Sequence, residues 1–426
     1  MSKKFLYEYE RPTREHWAIL GFSWAGWVFD FYNLILYTFL LIEIGKEFHV
    51  TDVELGIVHA ASLAATAIGG ILFGYLSDIY GRKPVLQWTI LIYSIGTALC
   101  AVATDIWQLL ILRFVAGLGI GGEWAVGQTL VGETWPPKMR ARGAALMQSG
   151  VPVGVAVASL VGGFVSPVIG WRMTFFLSSL PAFMVVFIRK GMPESDLWLH
   201  FREMLHRGEL PDEWAERLGR NPLIRIFDKE IIGSTAKGLL LATFGMYAYW
   251  FIFSWLPKCL SEEMGIGLAG SGLWVFISQM GALIGYLSFG PIADRIGRRP
   301  AFTIFSLTQA VSIFILMHMI SVFAKNPIYA LIPLFFMGLG TGFFSGYGPL
   351  YTEIFPTHVR TTAAGFCFNV ARGLSAVAPI VVALVAVQWG LSGAISIAAM
   401  FNVMLALFVW AFPETRGKVL KAVEKP

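Results

Sequence analysis

Residues 74–84 read G-Y-L-S-D-I-Y-G-R-K-P, and residues 290–300 read G-P-I-A-D-R-I-G-R-R-P. Gly74, Asp78, Gly81, Arg82 and Pro84 fall on Gly290, Asp294, Gly297, Arg298 and Pro300. Further along at nearly the same spacing, Glu133, Pro136 and Arg140 match Glu353, Pro356 and Arg360, and Pro193-Glu194 matches Pro413-Glu414. Repetition at this spacing marks a chain built from two copies of one unit, laid down in the same order and direction.

What lies around these turns is apolar. Of 426 residues 56% are hydrophobic and 14% charged, against roughly 25% charged in a soluble domain. The hydrophobic runs are each long enough for a hydrocarbon core of about 30 Å, which takes about 20 residues. Spans are predicted at residues 17–42, 53–76, 85–104, 107–134, 143–169, 171–190, 235–260, 270–293, 301–323, 328–355, 362–388 and 390–412. Lipid offers backbone groups no hydrogen-bonding partner, so runs of this length are expected to be helices and no strands are expected. The fold class is therefore an all-α membrane protein of twelve helices in two six-helix parallel repeats. Residues 1–190 form the first bundle, 191–234 a linker, and 235–426 the second bundle with a short tail.

Charge placement sets the orientation. Of 32 Lys and Arg, only Lys46, Arg172, Lys258 and Lys325 fall in one set of alternate loops, and Arg113 and Arg372 fall inside spans. The remainder gather with the two termini, the linker and the other set of alternate loops, which the positive-inside rule places in the cytoplasm. The net charge of +5 is thus read as topology, with no nucleic-acid partner. The polar N-terminus, residues 1–17, is not followed by a short apolar run with a small-residue cleavage site, so no cleaved signal is expected. Leu197, Phe201, Met204 and Leu205 recur at helical spacing, which predicts an amphipathic helix in the linker. Cys100, Cys259 and Cys367 stand singly in separate apolar runs, with neither disulfide nor metal-ligand spacing.

The G-x-x-x-D-x-x-G-R-[KR] turn in both halves, with PESD at 193–196 and PETRGK at 413–418, resembles the major facilitator superfamily along the whole chain. GETWPPKMRARG at 132–143, GEW at 122–124 and FDFYN at 29–33 look most like its sialate:proton symporter branch. The resemblance implies transport of sialate, lactate or a related carboxylate by alternating access, with the proton as coupling ion and no other cofactor. YTEIFPTHVR at 351–360 is also similar to sugar porters, but MYAYWFIFSWLPKCL at 246–260 lacks the glutamine pair those porters use on their sugar.

Ionisable residues within spans are costly and count as functional candidates. Asp30 lies 13 residues into the first span, about 20 Å, and Arg113 six residues into the fourth from the opposite face, about 9 Å. The two are expected to meet. Asp30, Arg113 and Glu123 are then the proton-coupling set, Asp30 loosening from Arg113 on protonation; a fixed structural ion pair is the alternative, and for Glu123 a partnership with a neighbouring hydroxyl. Arg372, about 15 Å into the eleventh span, suits a substrate carboxylate, with Asn369 one turn before it. Asn33, Tyr37, Gln148, Trp250 and Tyr351 complete the predicted substrate set; Trp27, Tyr247, His59 and His318 are weaker candidates. Asp78, Arg82, Glu133 and Arg140, with Asp294, Arg298, Glu353 and Arg360, are expected to latch the two halves together at the cytoplasmic side. Otherwise these charges serve topology alone.

The sequence has no H-E-x-x-H, G-x-S-x-G or G-x-x-x-x-G-K-[ST], so neither an enzyme nor direct ATP drive is expected. A proton-coupled carrier of a small organic acid leads. A neutral sugar or polyol porter is the alternative, and a channel or receptor a more distant one. The carrier is expected in the cell membrane, where one chain supplies both halves and a monomer suffices.

Overall fold

The computed structural model describes residues 6–136, 139–183, 187–188, 191–207, 222–355 and 359–416. The side chains of Asp78, Arg140, Leu197, Phe201, Met204, Leu205 and Arg360 lie outside the description, as do linker residues 208–221. All regular structure among the described residues is helical.

The first half begins with α1 (Arg14–Phe48), α2 (Asp52–Tyr80), α3 (Arg82–Cys100) and α4 (Ile106–Thr134). Polar residues just ahead of the apolar runs start α2 and α4. Thr51 and Glu54 form a reciprocal capping box at α2, and the Asp105 carboxylate accepts from the Trp107 and Gln108 amides, both at 2.9 Å, at α4. The half continues through α5 (Arg140–Gln148), α6 (Gly150–Leu160) and α7 (Ser166–Leu177). In the linker α8 (Asp196–Arg207) occupies the segment expected to be helical. The second half holds α9 (Ile232–Phe253), α10 (Leu256–Glu263), α11 (Gly267–Ile296), α12 (Arg298–His318), α13 (Leu331–Gly340) and α14 (Tyr347–Ile354). It closes with α15 (Arg360–Leu374), α16 (Ala378–Ser396) and α17 (Ala398–Phe408).

Nine helical stretches among the described residues are long and apolar enough to cross a membrane. Two of them contain a break that the repeat explains. Gly170 (φ 79°, ψ 158°) interrupts the stretch Arg142–Leu177, and Gly390 (φ 70°, ψ 170°) interrupts Thr362–Ala411. Both lie in the left-handed region open to glycine, at the predicted junctions of spans five with six and eleven with twelve. Counting those divisions, and α3 as the third span, gives the twelve helices.

The outward faces are apolar, with Ile95, Ile111, Phe314, Leu384 and Leu407 all exposed. In water such a surface would be a liability; against lipid it is the solvated one. Charge is sorted inward instead, and Asp30, Arg113, Glu123 and Arg372 are all fully buried. The chain is a multi-pass membrane protein.

Candidate functional site

Three of the four buried charges converge where α1 and α4 of the first half meet α15 of the second. Glu123 on α4 lays its carboxyl against Gly26 of α1, where a β-carbon would collide with it. Gly26 is one helical turn before Asp30 and so shares its face. Thr89 donates to Glu123 Oε2 at 3.4 Å, while Glu123 Oε1 and both Asp30 oxygens have no hydrogen-bonding partner. The charges acting on Asp30 are Glu123 and Arg372.

Arg372 reaches across from α15. Its guanidinium lies over the rings of Trp27 (5.5 Å), Phe31 (5.7 Å) and Phe368 (5.4 Å), and Nε, Nη1 and Nη2 all lack an acceptor. Ring faces offset part of the cost of burying a cation, but they supply no acceptor for its planar fork of N–H groups. A carboxylate fits that fork. Beside it Asn369 donates to the Gly365 carbonyl at 3.1 Å and keeps its Oδ1 unpartnered. Phe368 also stacks on Trp124 of α4 at 3.9 Å, closing the wall between the halves.

Arg113 does not join this cluster. Its Nη2 donates to the Asn33 carbonyl at 3.2 Å, and its guanidinium lies over Tyr37 (5.4 Å) and Phe175 (5.8 Å). The expected Asp30–Arg113 contact is not formed among the described residues; the charges that act on Asp30 are those of Glu123 and Arg372, and neither is hydrogen-bonded to it. The reason is register. α1 and α4 pair so that Arg113 is level with Asn33 and Tyr37 while Glu123, ten residues or about 15 Å further on, is level with Gly26. Asp30 falls between them in depth, and its helix face decides its neighbour.

The other predicted substrate residues divide. Trp27 and Trp250 are buried at the interface of the halves with Nε1 unpartnered, and Asn33 keeps Oδ1 free. Gln148 is already engaged: its Oε1 accepts from Trp124 Nε1 (3.0 Å) and Gln128 Nε2 (3.1 Å), so it positions the wall. The hydroxyls of Tyr37, Tyr247 and Tyr351 donate to the Leu55, Leu374 and Gly238 carbonyls. Tyr351 packs among Tyr347 and Phe355 inside the second half. His318 is exposed and stacked on Phe314.

The duplicated turns build a second constellation at one end of the bundle. Arg82 clasps Glu133 through Nε (3.3 Å) and Nη2 (3.0 Å), and Arg298 clasps Glu353 through Nε (3.3 Å) and Nη2 (2.9 Å). Arg298 Nη1 also donates to Asp294 at 2.6 Å. Each of these clasps lies inside one half; Asp78, Arg140 and Arg360, the rest of the expected latch between halves, lie outside the described side chains. The turn and the end of the fourth helix belong to the same six-helix unit, so duplication of that unit yields two internal clasps.

Sequence reasoning assigned no role to Glu194 and Glu414, although the repeat marked both. Glu194 accepts from the Arg82 and Lys83 amides (3.1 and 3.0 Å), and Glu414 from the Arg298 and Arg299 amides (2.9 and 3.2 Å). Each carboxylate thus caps the helix that starts with the clasping arginine. Partial burial pushes the Glu414 carboxyl up, but backbone donors at Arg298, Arg299, Arg416 and Thr415 more than reverse this and hold it below its ordinary value. A carboxyl so lowered contributes stability in full above its ordinary pKa, and the contribution is lost as pH falls through the lowered one. Glu414→Gln is expected to cost about 0.3–1 kcal/mol, the range for an exposed carboxylate at a helix N-terminus. Thermal melts in detergent should show that difference near neutral pH and lose it in acid.

At the opposite end a contact does cross between halves. Lys258 of α10 pairs with Asp52 of α2, with Glu262 at 3.7 Å on its own helix. Deeper on that side His59 of α2 sets its ring edge-on to Trp250 of α9 at 5.5 Å.

The family model of the Major Facilitator Superfamily matches residues 22–378 and, a second time, residues 238–425. The sialic acid transporter NanX of Escherichia coli is 30% identical over 405 residues, covering 94% of each chain. The niacin transporter NiaP of Acinetobacter baylyi is 31% identical over 437 residues, covering 96% of each. Among solved structures, a proton:xylose symporter superposes with a TM-score of 0.77 at 20% identity, over 95% of this chain and 98% of its own, a likeness of fold.

Proposed function

Because the chain belongs to the major facilitator superfamily, whose members are transporters and not enzymes, we propose that it is a proton-coupled carrier of small organic anions. The observation that carries this reading is Arg372: fully buried, in contact with rings from both halves, and with three guanidinium nitrogens lacking acceptors. Sialic acid and niacin, named as cargo of two relatives, share a carboxylate and little else.

Charge balance supplies the coupling. Arg372 is the cation acting on Asp30, and a substrate carboxylate has to take that same cation. Asp30 is then left beside Glu123 with no compensating charge, a state too costly to keep buried. Protonation of the acid pair removes the conflict, so proton and anion occupy the site together. Arg113, the third residue of the predicted coupling set, acts through the α1 backbone at Asn33 and not on the proton itself.

Alternating access follows from the parallel repeat, each half moving as a unit held by its own arginine–glutamate clasp, with the site between them. The basic end, with both termini, faces the cytoplasm. Lys258 and Asp52 close the outer end. The carrier sits in the cell membrane and works as a monomer, with the proton as its only cofactor. A neutral sugar or polyol would leave the Arg372 fork without a counter-charge, which is why that reading ranks second. Uptake of a labelled sugar that survives Arg372→Gln would favour it.

A further inference from the structure

A run of unsatisfied polar atoms leads away from Arg372 toward the Lys258 end. Phe31, under the guanidinium, meets the ring of Tyr249 at 6.0 Å; Tyr249 meets Trp250 at 5.1 Å, and Trp250 meets His59 at 5.5 Å. The Tyr249 hydroxyl, Trp250 Nε1 and both ring nitrogens of His59 have no hydrogen-bonding partner among the described residues, and all three residues are at most 3% exposed. His59 stacks on Tyr37 at 5.6 Å, but the Tyr37 hydroxyl donates to the Leu55 carbonyl and makes no hydrogen bond with His59. Arg113 lies over that Tyr37 ring and offers only donors.

Packing alone would not select histidine here. The chain uses 34 phenylalanines, and a phenyl ring would fill the same stack, whereas each buried unsatisfied polar group costs about 1–3 kcal/mol. The interface of the halves thus holds two polar stations. Arg372 stands beside Phe31, and His59 beside Tyr37 six residues further along α1, about 9 Å at 1.5 Å per residue. Aromatic rings line the way between them.

We propose that His59, with Trp250, is a second recognition point that reads a hydrogen-bonding substituent on the part of the acid distal to its carboxylate. The preferred cargo is therefore a carboxylic acid whose far end bears a hydroxyl or similar polar group, carried on a flat or ring-shaped body that the aromatic walls can hold. A short acid with all its polar atoms at one end engages Arg372 alone. The inference rests on the reading of Arg372 as the carboxylate site.

The test uses the full chain in detergent and two probes of nearly equal shape, 4-hydroxybenzoate and 4-methylbenzoate, with affinities from thermal-shift titration. The wild type is expected to favour the hydroxy acid about tenfold, the worth of one hydrogen bond that would otherwise be left unmade. In His59→Phe the ratio should collapse toward one, and His59→Gln, which keeps a donor and an acceptor, should restore part of it. A ratio near one in the wild type, or a wild-type preference that survives His59→Phe, overturns the inference while leaving the carboxylate site standing. Equal weakening of both probes, with the ratio intact, shows a packing role and overturns it as well. If neither acid binds the wild type, the carboxylate reading fails and takes this inference with it.

Discussion

Arg372→Gln is expected to lower organic-acid uptake by a hundredfold or more while leaving the protein folded. Both parts follow from the same geometry. Removing one partner from a buried, hydrogen-bonded charge pair costs about 2–5 kcal/mol, and 3 kcal/mol is already more than a hundredfold in affinity. The side chain has no acceptor among the described residues, so its loss breaks no internal hydrogen bond, and protonation of Asp30 restores the charge balance. Arg372→Lys should not rescue transport, because an ammonium cannot present the planar fork that matches a carboxylate. Labelled uptake in liposomes, read beside the elution profile and melting curve of the same preparation, separates loss of binding from loss of fold. Uptake within a few-fold of wild type would remove Arg372 from the substrate site.

Asp30→Asn is expected to separate exchange from accumulation. With the carboxylate replaced by an amide, Arg372 no longer has to choose between Asp30 and the substrate, so the anion binds and is carried in both directions. What is lost is the obligation to take a proton. Counterflow of labelled acid against unlabelled acid should persist, whereas uptake driven by an inward proton gradient should fall to the level of equilibration. Accumulation against a concentration gradient by Asp30→Asn would move the coupling role elsewhere, with Glu123 the next residue to neutralise.

The sequence displayed the fold in good detail because two of its rules are strict. Lipid forces spanning segments into helices, and a duplicated unit repeats its turns: Gly81 and Gly297 mark the same turn with φ of 105° and 102°, as Gly170 and Gly390 mark the same break. Depth along a helix was legible too, since rise per residue is fixed; Asp30 falls within the stretch of α1 bracketed by Arg113 and Glu123. Helix facing was not. Whether Asp30 lies within the influence of Arg113 or of Arg372 depends on how α1 is rotated and on how the second half packs against it, and no local pattern encodes either. The same limit applies to the arginine clasps: spacing alone does not tell that Arg82 pairs with Glu133, and Arg298 with Glu353, inside one half. Glu194 and Glu414 were visible as repeated letters, but their role as helix caps required a chain reversal of more than a hundred residues to bring each to its turn.

The central claim, that a proton and an organic anion cross together, is tested most directly in liposomes holding the purified protein. An inward proton gradient is imposed, and uptake of labelled sialate, lactate and niacin is followed with and without a protonophore. At least one of these acids is expected to accumulate above its external concentration, with the protonophore abolishing the accumulation and proton entry accompanying it. Folded protein that carries none of the three, or that carries one to simple equilibrium regardless of the gradient, would contradict the claim.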